Sequence, residues 1–303
     1  MSHIFNNATA RPYATPKQYA VFYLGRLIAF FFRLRTLALA QAIFAGVKSP
    51  TLVRCRFYGK VLVLDVARAN PQKMLWLQGR RFIKERSLVE PLVKPGAHVV
   101  DVGANIGYYT LMFASLATDM GRVWSIEPDP VNLLELEAAV AESKLASTVT
   151  ILPVAAGARD GLVKFEPGLN SHVTPQGRSE VAVRSLDSLQ LKRVDFIKID
   201  VEGYDGAVLE GALATFARCK PTIFMELHPQ LLTEHTHAQI LDLVHRHFSE
   251  VKAYHQERGT LAMRILESYG VGGPVTEIRD LRSIIEGYRS GRLLEPCWIV
   301  GRN

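Results

Sequence analysis

The chain has 303 residues, 48% hydrophobic and 21% charged, which is the balance of a folded protein rather than a disordered one. Its formal charge of +7 and pI near 9.3 suit an anionic substrate, a phosphate-bearing ligand or an acidic membrane surface. Its basic residues are scattered rather than interleaved with aromatics in one tract, so nucleic acid is not expected as a partner. Cys55, Cys219 and Cys297 are far apart and lack C-x-x-C spacing; neither a disulfide framework nor a cysteine zinc site is indicated, and a reducing compartment fits.

Residues 19 to 47 read YAVFYLGRLIAFFFRLRTLALAQAIFAGV. Arg26, Arg33 and Arg35 interrupt this apolar run before the ~20 apolar residues that a spanning helix needs, so a transmembrane segment is not expected. The run starts late and has no small-residue cleavage pattern, which disfavours a secretory signal. Arg26 and Arg33 are seven apart and share a helix face. Two expectations follow for a cytoplasmic protein: a helix packed on the rest of the chain or on a partner, or a helix lying peripherally on a membrane.

Residues 51 to 66, TLVRCRFYGKVLVLDV, predict a β-hairpin around Tyr58-Gly59. A basic amphipathic stretch runs to Leu92, and Lys94-Pro95-Gly96 then marks a turn. The expected organisation is a helical extension over 1–50, a hairpin and linking helix over 51–94, and a ligand-binding domain over 95–303.

From residue 97 strands and helices alternate: AHVVDV, YYTLMFASLA, RVWSIE, PVNLLELEAAVAESK, VTILPV, VDFIKIDV, YDGAVLEGALATFA, PTIFMEL and HAQILDLVHRHF. Short apolar strands separated by amphipathic helices predict an α/β fold whose mostly parallel sheet is covered on both faces. LVKFEP and EVAVRSL interrupt the alternation as an antiparallel pair, and the polar loop between them holds His172, a candidate to touch substrate from a lid.

Ligands of open α/β sheets bind beyond the carboxyl ends of the strands. There the first strand leads into DVGANIGYYT, with Asp101, Gly103, Asn105 and Gly107. A dinucleotide fingerprint needs glycine at 105 and 108; Asn105 and Tyr108 disfavour a nicotinamide-dependent oxidoreductase. S-adenosylmethionine has no pyrophosphate and relaxes both requirements. Asp101 suits its ammonium, and Glu127, about twenty residues on at the next strand end, suits its ribose hydroxyls.

The fourth strand, FIKIDVEGYD, would project Lys198, Asp200 and Glu202 from one face if it persists that far. Such charges are costly in an apolar strand unless paired or functional. The fifth ends FMELHPQ, adding Glu226 and His228. Asp200, Glu202 and His228 are candidate general bases, Glu226 is a candidate substrate contact, and the four are candidate ligands of a divalent metal. His235, His237, His245 and His247 read as surface residues of the last helix.

VVDVGANIGYYTLMFA, IEPDPVN and DFIKIDVEGYDGAVLEGA, in this order, resemble the FkbM family of S-adenosylmethionine-dependent methyltransferases over about residues 95 to 228. The resemblance implies a class I methyltransferase fold, a Rossmann-like doubly wound sheet of order 3-2-1-4-5-7-6 with the seventh strand antiparallel; PCWIVGR suits that late strand. By motif, Asp101, Gly103, Asn105 and Gly107 would line the methionine end and Glu127 would bind ribose. Asp200, Glu202 and Gly203 match the D-x-E-G segment beside the reaction centre. The implied activity is O-methylation of a hydroxyl on a sugar, glycolipid or natural product. A noncatalytic or membrane-associated S-adenosylmethionine-binding protein is the alternative, drawn from the N-terminal stretch.

Overall fold

The computed structural model describes residues 13–31, 37–78, 83–168, 171–228, 235–256, 275–293 and 296–303. The apolar N-terminal run forms two helices, α1 (Pro16–Phe31) and α2 (Leu37–Ile43). Arg33 and Arg35 lie outside the described residues; Arg26 lies 5.3 Å over the Trp76 ring. Among the described residues no helix is long and apolar enough to cross a membrane.

The expected hairpin is present as β1 (Leu52–Phe57) and β2 (Lys60–Asp65), turning at Tyr58 and Gly59, both with positive φ. The amphipathic stretch becomes α3 (Asn70–Gln78) and α4 (Ile83–Val89).

The alternating region then builds β3 (His98–Val102), α5 (Tyr108–Ala117), β4 (Arg122–Ile126), α6 (Pro130–Glu142) and β5 (Val149–Leu152). Asp129 caps α6 by accepting from Val131 N at 2.8 Å, and Pro130 follows at the first helical position, where its missing N–H costs nothing. A small sheet comes next: β6 (Ala155–Ala156), β7 (Gly161–Glu166), β8 (His172–Val173) and β9 (Ser179–Arg184), in the order β6-β9-β7-β8. The predicted antiparallel pair is its β7 and β9, while His172 sits on a short strand rather than in a free loop.

The chain returns to the large sheet through β10 (Phe196–Ile199), α7 (Asp205–Glu210), α8 (Leu213–Cys219), β11 (Thr222–Leu227), α9 (His237–His247), β12 (Glu250–Gln256), β13 (Val275–Ile278), α10 (Arg282–Arg289) and β14 (Cys297–Arg302). The helix expected over 204–217 is divided at Gly211. A Cβ there would lie 2.0 Å from Gly157 O, so the chain bends where two backbones touch.

The large sheet has the order β13-β12-β14-β11-β10-β3-β4-β5. Numbering its core strands 1 to 7 along the chain reproduces 3-2-1-4-5-7-6, and β14 runs antiparallel to both β11 and β12. This is the α/β fold of a class I methyltransferase. β13 is an additional edge strand, antiparallel to β12.

Because alternate strand residues point to opposite faces, each strand feeds two cores. Val99, Phe196, Phe224 and Trp298 pack with α5, α6, the hairpin and the N-terminal helices. Val100, Val102, Ile197, Ile199 and Met225 pack on the other face with helices α7 to α10. Asp101 and Lys198 are register partners on adjacent strands, in phase with Val99 and Phe196. The N-terminal part of the chain therefore covers the face that carries the buried charges.

The turns after β3 and β10 cross at their closest point through Gly103. A Cβ on this residue, whose φ is +77°, would lie 1.9 Å from Asp200 O. Gly103→Ala should destabilise the protein by roughly 3 kcal/mol, whereas Gly46→Ala, also at positive φ but in open space, should cost about 1 kcal/mol. Urea unfolding of the two variants checks this difference.

Candidate active site

Two cavities open at the carboxyl edge of the sheet and meet at Gly103, Asn105, Asp200 and Glu202. The first is lined by Glu127, the apolar Ile126, Ala156 and Phe165, and His172 from β8. The second, larger one is lined by Gln72, Glu85, Tyr109, Glu226 and His228 among others.

Local hydrogen bonding shapes the glycine turn. Asn105 has φ +50°, a conformation asparagine tolerates better than most residues, and its Oδ1 accepts from Ile106 N at 2.9 Å. Asn105 N donates to Glu127 Oε2 at 2.8 Å. Glu127 Oε1 accepts from Asp129 N at 2.9 Å and Asn132 Nδ2 at 3.1 Å. The turn thus holds the predicted ribose-binding carboxylate in place, while burial pushes that carboxyl up to about 7 against these donors. Gly107 serves packing: a Cβ would meet Leu136 Cδ1 at 2.7 Å.

Asp101 lines neither cavity. It is fully buried, with Oδ2 accepting from Thr110 Oγ1 at 2.7 Å, and Thr110 in turn contacts Ser125 Oγ at 2.9 Å. The sequence suggested that Asp101 holds a cofactor ammonium directly or through water; the structure places it behind the glycine turn. Burial raises the Asp101 carboxyl, and the Lys198 ammonium opposes that rise.

β10 ends at Ile199, one residue short of Asp200, so Lys198, Asp200 and Glu202 do not share a strand face as expected. The turn brings the first two together anyway: Lys198 Nζ lies 3.0 Å from Asp200 Oδ2 and 4.8 Å over the Tyr109 ring. Burial alone would lower the lysine pKa, but Asp200 and Asp101 hold it raised. Glu202 takes φ +54°, and its Oε2 lies 3.5 Å from His228 Nε2. His228 Nε2 is also 3.8 Å from Glu226 Oε1. Asp200, Glu226 and His228 offer ligand atoms all within 4.8 Å of one another.

Glu85, on α4, was not anticipated. It is buried, accepts from Trp298 Nε1 at 3.2 Å and lines the same cavity as Glu226. Burial pushes Glu85 up to about 7, and burial with Asp200 and Glu85 pushes Glu226 well above the ordinary carboxylate range. Gln72 and Arg68 were missed for the same reason: they lie in an amphipathic stretch where nothing separates a cavity-facing residue from a solvated one. Arg68 reaches Asn132 Oδ1 at 2.7 Å and Glu135 Oε1 at 3.2 Å.

Of the four histidines expected on the surface, His245 is exposed, whereas His235 and His237 are half-buried with partners. His237 is half-buried, with Nε2 2.9 Å from His228 O and its ring 4.7 Å from that of Tyr288; His235 lies 3.0 Å from Glu210. Tyr288 OH donates to Leu227 O at 2.8 Å. These contacts fix the end of β11, from which Glu226 and His228 project.

Residues 101–259, just over half the chain, match the Methyltransferase FkbM domain family. The chain belongs to this family. Residues 101–259 accordingly form an S-adenosylmethionine-dependent methyltransferase domain, and the dinucleotide reading is set aside. Solved structures with a similar fold include the FkbM methyltransferase from Methylobacillus flagellatus KT, at 16% identity and TM-score 0.44 over 75% of this chain. The match spans about half, 54%, of the Methylobacillus chain. A putative rRNA-methylase from Clostridium thermocellum gives 10% identity and TM-score 0.43, covering 72% of this chain and 93% of its own. An S-adenosylmethionine-dependent O-methyltransferase from Thermotoga maritima gives 12% and 0.42, covering 74% and 66%. Comparison with curated proteins yields no match.

Asp205, at the start of α7, is fully buried beside this methyltransferase site, and burial pushes its carboxyl up to about 7, with the neighbouring His228 lowering it and Asp200 adding to the rise. A carboxyl raised on folding binds protons more tightly in the folded state. Its stabilisation is full below the unfolded value near 4 and is lost as pH rises through about 7. Asp205→Asn should therefore lose less thermal stability than the wild type between those pH values. Melting temperatures measured across that window check this, and equal slopes would contradict it.

Proposed function

We propose that this methyltransferase acts on a hydroxyl oxygen of a sugar, glycolipid or natural-product acceptor held in the larger, acidic cavity. The observation that carries the reading is the grouping of Glu226, His228 and Glu202 at the junction of the two cavities. A hydroxyl is a weak nucleophile until its proton is withdrawn, and a positioned base contributes about 10²- to 10⁴-fold.

The smaller cavity has donors and surfaces that fit S-adenosylmethionine. Glu127 suits a ribose diol, and Ile126, Ala156 and Phe165 offer an apolar bed for a planar ring. Asp200, at the shared edge, supplies negative charge towards the methionine end, with Asp101 and Lys198 fixed behind it. When bound, the cofactor supplies a methyl group already activated by its sulfonium. The chain then has to align the acceptor oxygen with that methyl and remove one proton.

Glu226 and His228 face the acceptor side; His228 is our candidate for taking the proton, with Glu202 holding its ring, while the Glu226 carboxyl, raised by burial, borders the acceptor. Asp200 and Lys198 position the shared edge, and His172 closes the cofactor side near Glu202. Burial pushes the Glu85 and Glu226 carboxyls up, which leaves Asp200 and Glu202 against the lining cations Arg68 and Lys198; this near balance suits a neutral reacting part of the acceptor despite the chain's overall charge. A divalent ion on Asp200, Glu226 and His228 is a second means of activating the hydroxyl, favoured by their mutual spacing.

Glu127→Gln should weaken S-adenosylmethionine binding about 10- to 100-fold by calorimetry. His228→Ala should bind it as the wild type does, yet lower transfer of labelled methyl to a glycan and lipid extract by about 100-fold or more. Full transfer by this variant would remove His228 from the chemistry. Chelator treatment that abolishes wild-type transfer, restored by added magnesium, would select the metal-assisted form.

A further inference from the structure

α1 gives the interior only a narrow stripe. Phe22, Gly25 and Ala29 are buried, spaced three and four residues apart, with Phe22 4.7 Å from Phe44. Apart from Lys17, Gln18 and Arg26 the helix is apolar, and much of it faces outward: Val21, Leu24, Leu27, Ile28 and Phe30 are between 38% and 66% exposed. A contiguous exposed apolar patch of this kind marks a surface that meets something else.

Charge indicates what that is. Residues 1–64 contain nine Lys and Arg and no Asp or Glu, so the chain's +7 is +9 in this stretch and −2 in the remaining 239 residues. Lys17, Lys48 and Arg56 are exposed members of the set. A second copy of the same surface would meet like charge. Anionic lipid headgroups would neutralise the charge while the apolar side chains enter the boundary between headgroups and acyl chains.

We propose that the outward face of α1, within this basic stretch, docks the protein on an anionic membrane surface. The contact is peripheral, since no described helix can span a bilayer. It also places the active site. Trp76 of α3 packs under Tyr23, with ring centroids 5.1 Å apart, while Gln72 and Leu75 of the same helix line the acidic cavity. One helix thus separates the docking face from the acceptor cavity. The proposal stands on the helix surface and the charge distribution and does not require the acceptor to be a hydroxyl.

The test is flotation of the full-length protein with vesicles of phosphatidylcholine alone or with about one third phosphatidylserine. Capture should be at least about tenfold greater on the anionic vesicles and should fall when salt is raised from about 0.1 M to about 0.5 M. Leu24→Ser, Leu27→Ser and Phe30→Ser combined should cut capture about tenfold while leaving S-adenosylhomocysteine binding and melting temperature unchanged. Equal capture on both vesicle types, or undiminished capture of the triple variant, would overturn the proposal. So would a wild-type dimer, seen by sedimentation, that the triple variant loses without any vesicle binding in either protein.

Discussion

The contact between Gly103 and the Asp200 carbonyl is the constraint on which the site depends. It sets the ends of β3 and β10 against each other with no room for a side chain, and Asp200 N reinforces it by donating to Val102 O at 3.1 Å. From this crossing the Asn105 turn reaches one way to hold Glu127. The Asp200–Gly203 turn reaches the other way and brings Glu202 to His228. Both cavities are bounded by the same few atoms, so a ligand in one is necessarily close to a ligand in the other.

Keeping charge beneath such a site requires cover. Asp101, Lys198 and Asp200 form a short chain of opposite charges at the sheet edge, with Lys198 only 2% exposed at its side chain. A buried cation of this kind is tolerable because carboxylates flank it and Tyr109 presents its ring face. The cover comes from the part of the chain that precedes the family match: α4 brings Glu85 to Glu226, and α3 brings Gln72 and Leu75 to the cavity wall. The family core supplies the crossing and Glu127. The preceding segment shapes the wall of the larger cavity, the one proposed to hold the acceptor.

Much of this was legible in the sequence because strands and helices of the sheet have short, strongly patterned segments bounded by turn residues. The order of the sheet and the antiparallel last strand followed from the family resemblance and agree with the observed pairing. The break at Gly211 was not legible, because its cause is the Gly157 backbone, remote in sequence. Nor was the reason for Gly103: a glycine in a turn announces a close approach without naming the partner. Glu85 was invisible for a related reason. On an amphipathic helix a glutamate reads as solvated, and only the tertiary contact with Trp298 and Glu226 turns it inward.

The crystal structure of the complex with S-adenosylhomocysteine tests the central claim most directly, since that claim is two cavities joined at one crossing. The account predicts the ribose hydroxyls on Glu127, the ring against Ala156 and Phe165, and the sulfur at the Gly103–Asp200 edge, open towards Glu226 and His228. A ligand whose sulfur points away from that edge, or whose adenosine lies among Gln72, Glu85 and Glu226, would contradict it.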